Sequence, residues 1–168
     1  MLPIVLNPAQ LAVGLAGAGE GRERRRALLE GAGIAPVPVD ADAGDEALQG
    51  LAVLFVAGVP DPEARAFAAR ARRSGVLVNV EDVPALCDFH VPAVVRRGDL
   101  LVTVSTGGKA PGLARLIREW LERRLGADWR AHMDETARAR TAWRADGHSP
   151  QDVSRRTRAL VSERGWLP

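Results

Sequence analysis

Three short stretches of the chain carry residue types that can do chemistry. Asp82 follows the apolar run Val76–Val80, which reads as a β-strand, so its carboxylate stands just past a strand's C-terminal end. In open α/β sheets that edge is where ligands bind. A carboxylate there can take or give a proton, or help to hold a metal. The same residue suits a capping role in the turn before Val83-Pro84. Glu81 is its neighbour, and adjacent residues of an extended segment point opposite ways, so one of the pair faces inward. The second stretch is Ser105-Thr-Gly-Gly108 with Lys109 beside it, which offers hydroxyls and free backbone amides ahead of a helix. Such a loop can hold an anion, or its hydroxyls can simply cap the helix. The third is Gly17-Ala-Gly19-Glu-Gly21, where an apolar run ends and a helix begins. Glycines there permit a tight turn and let the backbone approach a pyrophosphate at a helix N-terminus. The spacing is imperfect, because the third position of G-x-G-x-x-G falls on Arg22. A tight turn that binds no nucleotide is the alternative.

Other reactive residue types lack partners. Cys87 is the single cysteine, which excludes an internal disulfide or a multi-thiolate metal site and fits a reducing cytoplasm. It reads as a small buried hydrophobe. His90, His132 and His148 are far apart and show no metal-ligand spacing. Lys109 is the only lysine, so arginine carries nearly all of the 23 positive charges. With 21 acids against them and few aromatics between them, these arginines do not describe a nucleic-acid groove. No apolar run approaches the length of a membrane span, and the N-terminus MLPIVLN lacks the marks of a signal peptide.

The elements that must position these residues follow from periodicity. Leu11–Ala16 predicts a first strand and Glu20–Glu30 a helix. Gly33–Asp40 is extended, but Pro36 and Pro38 cannot donate to a ladder, which suits an edge strand. Asp40 lies about twenty residues past the glycine turn, where an acid can bond a ribose hydroxyl or cap a loop. Leu51–Ala57 is continuously apolar, as in a strand buried on both faces. A helix follows with Asp61 as N-cap and Pro62 at its first position, ended by Gly75. Alternating βαβαβ units predict a Rossmann-like parallel sheet of the α/β class. Phe89–Arg96 and Leu100–Ser105, joined by Arg97-Gly-Asp99, predict a β-hairpin, marginal alone and suited to pairing with a second copy. Leu113, Leu116, Ile117, Trp120, Leu121 and Leu125 form one helical face. Two further helices follow at about 129–144 and 150–163, with Ser149 as N-cap of the second. Their arginine-rich faces read as solvated surface.

The run VNVEDVPALCDFHVPAVVRRGDLLVTVSTGGKAPGLARLIREWLE (residues 78–122) resembles one known family, the siroheme-synthesis dehydrogenase/chelatases. That family has N-V-x-D-x-P-x-L-C-[DN]-F-x-x-P-A, then R-G-x-L-x-V-x-[IV]-S-T-G-G-x-[AS]-P-x-L-A-R-x-[IL]-R. A weaker likeness joins residues 17–25 to the family's G-G-G-x-V-A-x-R-K, and another covers the C-terminal helices ending SERGWL.

The resemblance implies an NAD-binding domain at 1–84, a dimerisation hairpin at 85–108 and a helical C-terminal region at 109–168. It implies NAD+-dependent oxidation of precorrin-2 to sirohydrochlorin, with insertion of Fe2+ in many members and a link to Co2+ in some. The family's key carboxylate, general base and metal or proton handler, falls on Asp82. Its loop serine falls on Ser105. Its nucleotide contacts fall on Gly17, Gly19, Glu20, Gly21, Ala41 and Asp42. A cytoplasmic homodimer without nucleic-acid or membrane partners is expected, and the octacarboxylate substrate gives the arginines a use. Two stretches depart from the family: Gly21-Arg22 replaces Val-Ala, and Gly58–Asp61 replaces A-T-[DN]-[DN]. Both lie on the cofactor side.

Overall fold

The computed structural model describes residues 2–40 and 43–167. Two compact units divide the chain at Val91/Pro92.

In the first unit, strands β1 (Ala12–Gly17), β2 (Val37–Val39), β3 (Leu51–Ala57) and β4 (Leu77–Val80) form one parallel sheet in the order β2-β1-β3-β4. Helix α1 (Gly19–Glu30) joins β1 to β2, and α2 (Asp61–Arg73) joins β3 to β4. β3 is central because its unbroken apolar run has partners on both faces. Leu54 and Val56 face the cluster built with Phe67, Ala68 and Ala71 of α2, and Val53 and Phe55 face the cluster with Leu15 and Leu29. β2 is an edge strand of three residues, as its prolines require. The cap of α2 differs by one residue from the sequence expectation. Asp61 is already helical, and Pro60 holds the cap position without a side-chain hydrogen bond.

The α1 face of the sheet is thin. GEGRERRRALLE buries only Gly21 and Leu29, too little apolar surface to cover Phe55. The Arg25 guanidinium fills the gap, 5.2 Å from the Phe55 ring centre, and Phe89 meets the same ring edge-on at 5.4 Å.

β4 is the other outer strand, and the segment after it folds back over its open side. Val78 N–H donates to the Asp88 carboxylate at 3.0 Å, and Asp88 N–H donates to the Val78 carbonyl at 2.8 Å. Val80 N–H donates to Cys87 Sγ at 3.3 Å, while the thiol donates to the Val80 carbonyl at 3.1 Å. Arg72 holds Asp88 and the Leu86 carbonyl in place. Cys87 is therefore half-buried and hydrogen-bonded, more than the small hydrophobe expected from sequence.

In the second unit, β5 (Ala93–Arg97) and β6 (Leu100–Val104) form the expected antiparallel hairpin, with Gly98 supplying the positive φ (61°) of its turn. α3 (Pro111–Arg124) packs on this hairpin, and Arg97 caps its end by donating to the Leu125 carbonyl at 2.7 Å and the Glu122 carbonyl at 3.1 Å. α4 (Trp129–Ala145) and α5 (Pro150–Glu163) pack together, and Ser149 caps α5 as its position predicts. The apolar face of α3 is only partly used. Ala114 is buried and Leu121 half-buried, yet Leu113, Leu116, Ile117 and Trp120 remain 52%, 62%, 37% and 49% exposed. No helix among the described residues is long and apolar enough to cross a membrane.

Candidate active site

Going from β1 to β2 the chain moves one way along the sheet, and β3 lies on β1's other side, so the topological switch point falls between β1 and β3. In sheets of this kind the crevice past the C-terminal strand ends at that point binds ligands. Two glycine turns meet there. Gly17 has φ 109°, and a Cβ on it would overlap the Ala57 carbonyl oxygen. Gly58 has φ 67°, and a Cβ on it would overlap the Ala18 carbonyl oxygen. Ala18 N–H donates to that same Ala57 carbonyl at 3.2 Å, so the turns after β1 and β3 are locked backbone to backbone. Gly58, a departure from the family pattern, thus fills a position where any side chain would collide with the first turn.

The third glycine of this cluster is Gly21, not position 22. It is buried, and a Cβ on it would overlap a Glu81 carboxylate oxygen and press on the Gly58 amide at 3.2 Å. The helix begins at Gly19, so the residue turned toward β3 and β4 is two positions further on. Arg22 instead turns toward the β2 side, pairs with Glu23 at 3.2 Å and lines a 400 Å³ groove with Arg26, Ile34 and Pro36. The imperfect spacing therefore still supplies a close-packing glycine. Glu20 is exposed and faces Arg24 at 3.7 Å.

This geometry suits a pyrophosphate. The cap position of α1 is Ala18, whose side chain bonds none of the first-turn amides, and no atom lies within 4 Å of where a Cβ on Gly19 would stand. A bare backbone at an uncapped helix N-terminus leaves N–H groups and the positive end of the helix dipole for an anion. Of the other nucleotide contacts implied by the family, Ala41 and Asp42 lie outside the described residues, while Asp40 is exposed at the end of β2.

The carboxylates stand on the same edge. Glu81 follows β4 directly, donates its amide to the Val56 carbonyl at 2.9 Å, and turns its carboxylate inward to Arg24 at 3.6 Å. It is the inward-facing member of the pair. Asp82 points to solvent, and its backbone is left-handed (φ 59°), the single such non-glycine among the described residues. Burial lowers the pKa of the nearby Arg25 guanidinium; Glu81, then Cys87 and Asp82, act against that shift. Arg25 thus links the sheet face to the acidic turn, a role periodicity could not disclose because it depends on the gap over Phe55.

Ser105 belongs to the second unit. Its Oγ accepts from Gly107 N–H at 3.3 Å, and Thr106 Oγ1 accepts from Ala110 N–H at 3.2 Å, so both hydroxyls shape the turn that starts α3. No group of three or more His, Cys, Asp or Glu able to hold a metal ion occurs among the described residues.

A parallel sheet, a glycine turn opening on an uncapped helix and an acid past a strand end define the dinucleotide-binding Rossmann class. Comparisons with known proteins narrow this. A family model described as "Putative NAD(P)-binding" matches residues 4–93, and one described as "Sirohaem biosynthesis protein central" matches residues 97–124. The siroheme synthase of Methylococcus capsulatus is 38% identical over 141 residues, covering 72% of this chain and 30% of that protein. That of Methylobacillus flagellatus is 34% identical over 148 residues, covering 76% and 32%. The chain therefore belongs to the siroheme synthase N-terminal-type family. It spans about a third of the length of these two relatives. Among solved structures, the precorrin-2 dehydrogenase SirC superposes with a TM-score of 0.78 at 19% identity, covering 99% of this chain and 92% of that one, and so shares the fold.

Proposed function

We propose that this chain oxidises precorrin-2 to sirohydrochlorin with NAD+. The observation that carries the reading is the glycine cradle at the β1/β3 switch point with Asp82 on the same sheet edge. Bound there, NAD+ supplies the hydride acceptor. Gly17, Gly19 and Gly21 would hold its pyrophosphate by their backbone at the start of α1, with Glu20 beside them; Ala41 and Asp42, which lie outside the described residues, are the further nucleotide contacts proposed. Of the two hydrogens that the macrocycle must lose, the cofactor would accept one as hydride, and Asp82 would take the other as a proton. An exposed carboxylate just past the strand end can take that proton and pass it to water. Glu81, paired with Arg24, stays committed to positioning.

The same acid serves a second step, insertion of Fe2+ (or Co2+) as substrate metal into sirohydrochlorin. Two pyrrole nitrogens must lose their protons as the metal enters, and Asp82 is the acceptor and transient metal contact. Ser105 acts through the loop that its hydroxyl holds. The working form is a homodimer, supported by the exposed Leu113, Leu116, Ile117 and Trp120 stripe beside a two-stranded hairpin.

The test is direct. Purified protein with precorrin-2 and NAD+ should form sirohydrochlorin, read by absorbance. Asp82→Ala should lower turnover about a hundredfold or more, the usual scale for losing a general base. Unchanged turnover would remove Asp82 from the chemistry. Metal insertion without NAD+ binding at millimolar cofactor would instead mark a chelatase, and tight sirohydrochlorin binding with neither reaction a carrier.

A further inference from the structure

Asn79, 6% exposed, is the one buried polar side chain among the described residues, and the rest of β4 is leucine and valine. It is the register neighbour of Phe55 on β3, on the sheet face that buries Leu15, Leu29 and Val53. Its Oδ1 is enclosed and meets no donor among the described residues. A buried acceptor left unpaired destabilises a fold, and a valine like those on either side would avoid that loss. The other end of the amide is where the bonds are. Nδ2 donates to the Phe89 carbonyl at 2.9 Å and to Cys87 Sγ at 3.5 Å. Val80 N–H donates to the same sulfur at 3.3 Å, so the accepting side of the thiol is occupied. Its proton is left to two carbonyls, Val80 at 3.1 Å and Val83 at 3.5 Å. Those residues flank Glu81-Asp82, and Val83 N–H closes the same turn on the Val80 carbonyl at 3.4 Å.

We propose that Asn79 is a positioning residue for Asp82. Its amide orients the Cys87 thiol, the thiol clasps both ends of the turn 80–83, and the turn sets the direction of the Asp82 carboxylate. The acid needs such a hold. Its φ of 59° is one that most side chains resist, and a residue stays there only where its surroundings over-determine it. Asn79 itself is buried beneath the sheet edge and acts on the reacting groups through the turn alone. The effect on turnover rests on the proposed role of Asp82, whereas the effect on the turn stands on this geometry by itself.

The experiment compares Asn79→Val with the unaltered full chain by NMR, thermal unfolding and steady-state kinetics. Valine suits the strand and removes Nδ2 and the unpaired Oδ1 together. We expect the Asp82 backbone shifts and its intraresidue HN–Hα contact to leave the left-handed pattern, with faster solvent exchange at the Val83 amide. The rate kcat should fall about tenfold or more, since misplacing a reacting group by about 1 Å can cost a hundredfold. KM for NAD+ should stay unchanged, because the glycine cradle is untouched. The thermal midpoint should hold or rise, as an apolar group has replaced an unpaired polar one. A merely structural asparagine predicts the reverse: a lower midpoint with the Asp82 pattern in place. Cys87→Ala should reproduce the NMR change, and Cys87→Ser, whose hydroxyl both accepts and donates, should restore the pattern. That pair decides the matter if Asn79→Val does not fold. An Asp82 pattern and Val83 exchange that are unaltered in Asn79→Val, or equal in Cys87→Ala and Cys87→Ser, overturn the proposal. If the unaltered chain leaves precorrin-2 unoxidised, the reaction reading falls, and the NMR comparison still decides the positioning.

Discussion

Asp82 combines an exposed carboxylate with a left-handed backbone, a conformation that glycine and asparagine accept and most residues resist. That pairing separates chemistry from fold. Asp82→Asn keeps a residue suited to φ 59° and removes the proton acceptor, so turnover should collapse while the thermal midpoint stays within about a degree or two. A large fall in midpoint would instead assign Asp82 to the turn. Gly58 makes the opposite case. Gly58→Ala puts a Cβ into the Ala18 carbonyl at positive φ, and should cost roughly 2 kcal/mol or more in denaturant unfolding, with weakened NAD+ binding. Of this site, the glycines and Asp82 are legible in the sequence because turns and strand ends announce themselves locally. The role of Gly21 is hidden there, since the usual motif spacing points at Arg22 and only the start of α1 at Gly19 decides which residue meets Glu81. The thiol contacts of Cys87 are hidden as well, because they are made across seven residues to a strand edge.

At the level of elements, the strands and the βα order can be read directly, since an unbroken apolar run between turn residues fits a buried strand and little else. The α3 stripe is legible as one face but not as an exposed one: periodicity reveals a face and is silent on what covers it. If a second copy covers it, Trp120→Arg should leave the helix folded and shift the protein to its 18.0 kDa monomer mass in light scattering. A dimer that persists would move the contact elsewhere. The start of α5 is a separate case. Ser149 accepts from Asp152 N–H at 3.2 Å and donates to the Asp152 carboxylate at 2.7 Å. That hydroxyl, with Arg155, holds the Asp152 pKa below the ordinary carboxylate range. A depressed carboxylate pKa stabilises the folded chain above its unfolded value and loses that effect as pH falls through the folded value. Ser149→Ala should therefore destabilise the chain near neutral pH, and the deficit should shrink in acid. A deficit that does not change with pH would break the link to Asp152.

For the whole molecule, the proposed reaction requires NAD+ to bind the folded chain. A ligand that binds only the folded state at a hundred times its dissociation constant stabilises by about 2.7 kcal/mol, so saturating NAD+ should raise the thermal midpoint by several degrees. An unmoved midpoint would count against the cofactor site. The closure of β4 carries a different consequence. Its outward N–H and C=O groups at Val78 and Val80 are all taken by Cys87 and Asp88, and the opposite edge strand, β2, lacks a donor at Pro38. Neither side of the sheet can accept an added strand. Two copies of this chain therefore do not join by continuing the parallel sheet, and a neighbouring extended peptide finds no ladder to extend there. Stacking through that sheet is thereby closed off, and any ordered assembly must use surfaces other than its rims.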